Sequence, residues 1–306
     1  MTDVVTDPEQ RTRNGGAVAA SVAAGILLAI LWSYEFVDSV IGDNVANTLL
    51  GHEAKETPIV GTGAGLLFAF VSGFAGTFTA CNIAMAASIG PMSQAGERQR
   101  AGTSRALLRT LARPLGAFTA GMVTVSAAYG FVGVLLGDTL PQLSTASVGE
   151  MPVRLLQSSV VFGLVGLALV YLGLAALGVV RDVFAGRPMA RVVFLGALVG
   201  AFLIGRPYPL FVKLFNWAAD TGNPLYGAAT FALQSVGNIA IVAALFAVLI
   251  LATRGRFLSW LAGSPRRLSL VSGTLLLALG VFTVVYWDLR VPSIFGFGWF
   301  PQMPYN

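Results

Sequence analysis

Apolar stretches long enough to cross a bilayer constrain this chain more than anything else in it. A spanning helix needs about 20 consecutive, mostly apolar residues. Seven segments of the 306-residue sequence are read as spans: about 17–37, 59–86, 114–136, 156–180, 192–217, 225–252 and 269–288. The composition agrees, being 56% hydrophobic and 11% charged, where a soluble domain carries about 25% charged residues. The expected fold class is an all-α polytopic membrane protein with seven transmembrane helices, and the lipid bilayer is its first partner. The net charge of +5 then belongs to the loops and is not a nucleic-acid signal; no nucleic-acid partner is expected. The polar start "MTDVVTDPEQRTRNGG" leads into an apolar run without a small-residue cleavage site, so no secretory signal is expected.

Orientation follows from where Arg and Lys fall, because cytoplasmic loops carry the excess. Segment 93–113 holds Arg98, Arg100, Arg105, Arg109 and Arg113; segment 181–191 holds Arg181, Arg187 and Arg191; segment 253–268 holds Arg254, Arg256, Arg266 and Arg267. They alternate with linkers 38–58, 137–155 and 218–224, which are poor in both. The expectation is a multi-pass protein of the cell (inner) membrane, N-terminus cytoplasmic and C-terminus extracytoplasmic. It divides into an N-terminal tail, first transmembrane helix and outer loop (1–58), a six-helix core (59–288), and an extracytoplasmic aromatic tail (289–306). That tail, "VPSIFGFGWFPQMPYN", has five aromatics in sixteen residues, suited to an interfacial belt or a docking strip for a partner.

The six-helix core compares with itself. Setting Cys81 on Tyr208 also brings Gly73 onto Gly200, "RPLGAF" (113–118) resembles "NPLYGAA" (223–229), and "FGLVGLALVYLG" (162–173) follows like "SGTLLLALGVFT" (272–283). Units of three spans must be inverted relative to each other, which puts functional sites near the midplane on interrupted helices. The interruptions are legible. The second span is rich in small residues around Cys81, and the fifth contains "GRPYPLFVK" (205–213), with two prolines one residue apart. Proline removes a backbone donor and clashes with the preceding turn. A broken helix is tolerated in a membrane only where protein or a water-lined cavity satisfies the freed groups, so residues 205–209 are expected to face the interior.

These stretches carry a resemblance. "SGFAGTFTACNIAM" (72–85), "GAFLIGRPYPLF" (200–211) and "VSGTLLLALGVFTVV" (271–285) make residues of about 70–285 similar to the transmembrane domain of the DsbD/CcdA family of cytochrome c biogenesis and disulfide-reductase membrane proteins. The resemblance implies a core of two inverted three-helix repeats, each with a Pro-Cys element in its first helix. It also implies a pair of cysteines passing reducing equivalents from cytoplasmic thioredoxin to an extracytoplasmic acceptor. Here the first element reads Ala80-Cys81 and the second Pro207-Tyr208. A thioredoxin-like or cytochrome c assembly partner would then supply the second thiol.

Among candidate residues, Arg206 is the most informative. It lies about 14 residues into a span, or about 21 Å at 1.5 Å per residue, and a charge at that depth costs about 2.5–3.5 kcal/mol on insertion scales. It is read either as a functional cation or as a structural one bonding the carbonyls freed by Pro207 and Pro209. Cys81, the redox candidate, is the only cysteine. A buried thiol is often just a small hydrophobe, and in apolar surroundings it stays inert unless a cation is near. The site is expected to comprise Cys81 with Arg206, Pro207, Tyr208, Thr79, Asn82, Gln234 and Asn238, the last two lining a cavity opposite Arg206 or bonding between helices. Lys213 is expected to snorkel to the outer interface. Cys81 and Met85, spaced i,i+4, with Met122 form a weak soft-metal set, and His52 is the only histidine. No metal and no cofactor are expected. Two functions compete: thiol/redox transfer or cytochrome c assembly in the DsbD/CcdA manner, and transport of a small anion or metal around Arg206. A non-catalytic scaffold subunit is the third reading.

The topology is testable. With Cys81→Ser as background, a cysteine placed at residue 300 should react with an impermeant maleimide from the extracytoplasmic side only. Labelling from the cytoplasmic side alone would overturn the seven-span arrangement.

Overall fold

The computed structural model describes residues 8–33, 35–76, 104–253, 256, 260 and 263–303. It is about 75% helical. Helices run α1 (Pro8–Leu31), α2 (Asp43–Leu50), α3 (Thr62–Ala75), α4 (Ser104–Leu136), α5 (Val153–Ala176), α6 (Pro188–Ala201), α7 (Pro209–Asp220), α8 (Pro224–Ala252), α9 (Pro265–Val284) and α10 (Val291–Ile294). Wider, π-type turns cover Glu35–Gly42 and Val285–Arg290, and a two-stranded ribbon pairs Ser147–Val148 with Met151–Pro152. Four of these helices, α6 to α9, begin with proline at the first helical position, where its missing N–H is no loss and its φ is already helical.

Four of the described helices are long and apolar enough to cross a membrane: Asn14–Leu31, Ala112–Leu136, Val153–Ala176 and Arg266–Ile294. The chain is thus a helical, membrane-type protein. The fifth expected span takes another form. α3 and α6 are each 14 residues, about 21 Å at 1.5 Å per residue, short of a full crossing. The span expected at 192–217 is divided, ending as α6 at Ala201 and restarting as α7 at Pro209. The second span is described only as far as Gly76.

In the bundle α5 packs along α9, α8 lies against α4 and α3, α6 lies against α4, and α1 lies against α9. Glycine sets these approaches. A Cβ on Gly73 would fall into the Gln234 carbonyl, and one on Gly237 into the Phe70 carbonyl, 3.2 Å from Phe74 N. In α6 and α4 the same pattern recurs: Gly196 meets the Phe118 carbonyl, and Gly121 meets the Val193 carbonyl, 3.1 Å from Ala197 N. The α3–α8 and α6–α4 interfaces therefore repeat each other contact for contact. In this contact pattern Gly73 matches Gly196, one helical turn before Gly200, and Gln234 matches Phe118. Residue-type similarity could not see it, because Gly196 and Gly200 both lie on the face toward α4.

α5 and α9 cross at two reciprocal glycine pairs. Cβ atoms on Gly166 and Gly280 would lie 3.0 and 2.7 Å from each other's carbonyl oxygens, and those on Gly173 and Gly273 would lie 2.9 and 3.1 Å away. Close backbone approach replaces hydrophobic burial as the source of association where the solvent is itself apolar.

The loops gather at two ends. At one, Asn14 Nδ2 donates to Leu177 O (2.8 Å) and Ser269 Oγ donates to Ala176 O, so the start of α1 and the loops after α5 and α8 lie together. At the other, Arg290 Nη1 donates to Ala29 O (2.6 Å) and Trp32 O (2.7 Å). The aromatic tail follows there, with Trp299 86% and Phe297 51% exposed while Phe295 and Phe300 pack onto the core.

Glycine packing predicts a selective sensitivity. Gly280→Ala, which drives a methyl into the α5 backbone, should lower stability by about 1–3 kcal/mol. Gly116→Ala, where nothing lies within 4 Å, should not lower it and gains the helix preference of alanine over glycine. Thermal unfolding in detergent reads both.

Candidate functional site

The break between α6 and α7 is the least regular part of the described bundle, and its sequence, "FLIGRPYP", explains why. The residue before a proline is pushed out of the helical region. Tyr208 accordingly takes φ −60°, ψ 131° ahead of Pro209. The chain between tightens into i→i+3 turns, with Leu203 N bonding Gly200 O (3.1 Å) and Ile204 N bonding Ala201 O (3.0 Å).

The break leaves carbonyls without helical partners, and side chains from three directions find them. Gln157 Nε2 on α5 donates to Ile204 O (2.6 Å), joined at 3.5 Å by Tyr129 OH from α4. Gln142 Nε2, from the loop after α4, donates to Arg206 O at 2.8 Å, with the glutamine 1% exposed. The two glutamines hold the carbonyls of Ile204 and Arg206, whereas the carbonyls four residues before Pro207 and Pro209 are those of Leu203 and Gly205. Neither glutamine figured among the candidate residues. A glutamine in an otherwise apolar helix, like Gln157, was the available signal.

Arg206 is 8% exposed and points at the end of α3. A Cβ on Gly76 would stand 2.8 Å from its Cζ, so the glycine makes room for the guanidinium. A helix C-terminus carries partial negative charge, which favours a cation there. Cζ also lies 5.2 Å from the Tyr208 ring centroid, a cation–π arrangement. Nη2 is buried and has no hydrogen-bond partner among the described residues. Tyr208 is 3% exposed, and its hydroxyl donates to Asp43 Oδ1 at 3.2 Å. Gly205 is buried beside it, Pro207 half-buried, and Pro209 exposed, so the expected inward-facing stretch ends one residue early.

Gln234 and Asn238 are both buried on α8. Gln234 Nε2 donates to Ser72 Oγ (3.2 Å), while its Oε1 has no partner among the described residues. Both flank Gly73, three residues before Gly76 and so on the same face of α3. The α3 face thus brings Gln234, Asn238 and Arg206 to adjoining points. Cys81, Thr79 and Asn82, with Met85, lie outside the described residues. Met122 is buried in the core between α4 and α6. Among the described residues no group of three or more His, Cys, Asp or Glu is arranged to hold a metal.

The matched interfaces give this polarity a meaning. Through the glycine contacts, Gln234 corresponds to Phe118, and Asn238, one turn on, to Met122. The same backbone frame is thus filled by Phe and Met on one side and by Gln and Asn on the other. Packing alone does not require the amides.

Lys213 reaches into the loop after α2. Its Nζ donates to the carbonyls of Ala54 (2.8 Å), Lys55 (2.9 Å) and Thr57 (2.6 Å). It thereby ties the loop after α2 down over α7. No family model, curated protein or solved structure matches the chain.

The Gly76–Arg206 contact can be measured by a double-mutant cycle. Gly76→Ala should destabilise the protein on its own and have little effect in an Arg206→Ala background. The expected coupling is about 0.5–3 kcal/mol.

Proposed function

We propose that this is a seven-span inner-membrane protein, N-terminus cytoplasmic and C-terminus extracytoplasmic, whose six-helix core consists of two inverted three-helix repeats of the DsbD/CcdA kind. Its work is transmembrane thiol transfer or cytochrome c assembly, with a partner supplying a second thiol. The observation that carries this reading is the buried guanidinium of Arg206, one nitrogen unpartnered among the described residues, lying against Gly76. Cys81 follows only five residues later in the sequence. The equal lengths of α3 and α6 and their repeated glycine contacts support the inverted repeat. Arg181 and Arg187, with Arg191, Arg266 and Arg267 in the first turns of α6 and α9, lie at the end shared with the start of α1, which supports the orientation.

In this reading Arg206 stabilises the Cys81 thiolate. That thiolate attacks a partner disulfide, forming one S–S bond as the other breaks and releasing the leaving sulfur as a thiolate. A second partner thiolate then attacks the mixed disulfide and restores Cys81. Transport of a small anion is the second reading, favoured by the single cysteine together with the unpartnered Nη2, to which an anion would bond directly.

Two substitutions separate these functions. For thiol transfer, Cys81→Ser should abolish mixed-disulfide trapping and activity, and Arg206→Gln should slow alkylation of Cys81 by iodoacetamide at least tenfold. Arg206→Lys, which keeps the charge and loses the planar fork, should fall between. A fully active Cys81→Ser protein that loses activity on Arg206→Gln would establish the transport reading instead. Full activity of Arg206→Gln would remove both.

A further inference from the structure

We propose that residues 43–57 form a latched lid over the α6–α7 break, and that an anion bound at Arg206 loosens the latch. This rests on Arg206 being the functional centre and adds a gate to it. The segment is built as one piece. α2 ends at Gly51 in the left-handed conformation (φ +74°), whose N–H bonds Asn47 O (2.8 Å). Asn47 then clamps the return strand, accepting from Ala54 N (2.8 Å) and donating to Glu53 Oε2 (2.7 Å). Its underside is small and apolar: Ala46 is 0% and Ala54 1% exposed, packed in one cluster with Tyr208, Leu210 and Phe211.

Polar contacts hold this piece to the bundle. Lys213 grips three carbonyls of the return strand, and Tyr208 holds Asp43. A Cβ on Gly42 would lie 2.7 Å from the Tyr208 hydroxyl, so glycine at that position lets the lid seat. Lys55, itself partly exposed, pairs with Asp43 from above. The result is an alternating series from the interior to the surface: Arg206 cation, Tyr208 ring and hydroxyl, Asp43 carboxylate, Lys55 ammonium. Each member holds the next. An anion that draws the guanidinium off the Tyr208 face frees the ring whose hydroxyl fastens the lid. With Tyr208 and Arg206 both buried, the structure is the closed state.

Cysteine accessibility tests this in full-length protein carrying Cys81→Ser. The reporter is Ala54→Cys under the lid, and the open reference is Val60→Cys, a position 79% exposed. An impermeant maleimide should label Ala54→Cys at least tenfold more slowly than Val60→Cys. Adding Tyr208→Phe or Lys213→Met should raise the Ala54→Cys rate at least threefold. Asp43→Asn, on the lid itself, should do the same and serves where the interior variants fail to assemble. Labelling of Ala54→Cys as fast as Val60→Cys overturns the lid. Unchanged rates in every assembled latch variant overturn the latch. If Arg206→Gln leaves the Ala54→Cys rate at its parent value, the coupling to the cation is overturned. Labelling reads the lid whether or not Arg206 carries activity, so this proposal and the functional one fail separately.

Discussion

Within a hydrocarbon layer a backbone carbonyl has no water to turn to, and an unsatisfied one costs several kcal/mol. The break at residues 202–208 creates such carbonyls, and much of the local architecture follows from satisfying them. Gln157, Tyr129 and Gln142 reach Ile204 O and Arg206 O from three separate elements. The loop after α4 must dip to deliver Gln142, and α4 and α5 must converge to deliver the other two. With these two carbonyls held by neutral donors, the Arg206 guanidinium lies against Gly76 at the end of α3.

The rest of the bundle is held by a different device. Apolar side chains gain little by exchanging lipid for one another, so association depends on how closely backbones meet. The α3–α8, α6–α4 and α5–α9 contacts are all set by glycines lying on a neighbouring helix's backbone. Ser126 and Ser235 add a buried hydroxyl pair between α4 and α8 at 2.7 Å. Such interfaces leave little room for adjustment, since an added methyl meets backbone and cannot rotate away. Motion is more naturally carried by segments held through a few polar contacts, as residues 43–57 are.

The membrane class, the helical content and the interruption at "GRPYP" were legible in the sequence, because hydropathy and proline act locally. Arg206 stood out for the same reason: a charge inside an apolar run needs no tertiary knowledge to notice. The partners of the break were not legible. Gln142 lies in a loop and Asp43 in a polar linker, where polar residues are ordinary, and only the fold brings them onto Arg206 O and Tyr208. The match between Gly73 and Gly196 was not legible, because small residues recur every three or four positions along each helix. It is read from which carbonyl each glycine faces. The three loop carbonyls that hold Lys213 were not legible either, because only the fold brings residues 54–57 to it.

The comparison of equivalent positions carries the argument about function furthest. A buried amide in a membrane bundle has a ready structural explanation, since Asn and Gln commonly bond between helices. That explanation predicts that the frame needs them. Here the same frame occurs twice, and Phe118 and Met122 fill it without an amide. Gln234 spends one bond on Ser72 and leaves its Oε1 without a partner among the described residues. Leaving a buried amide oxygen unpaired costs about 1–3 kcal/mol. The Oε1 atoms of Gln142 and Gln157, which hold the break, are likewise without a partner among the described residues. Polarity has been placed on one of two equivalent interfaces, the one whose α3 face also meets Arg206.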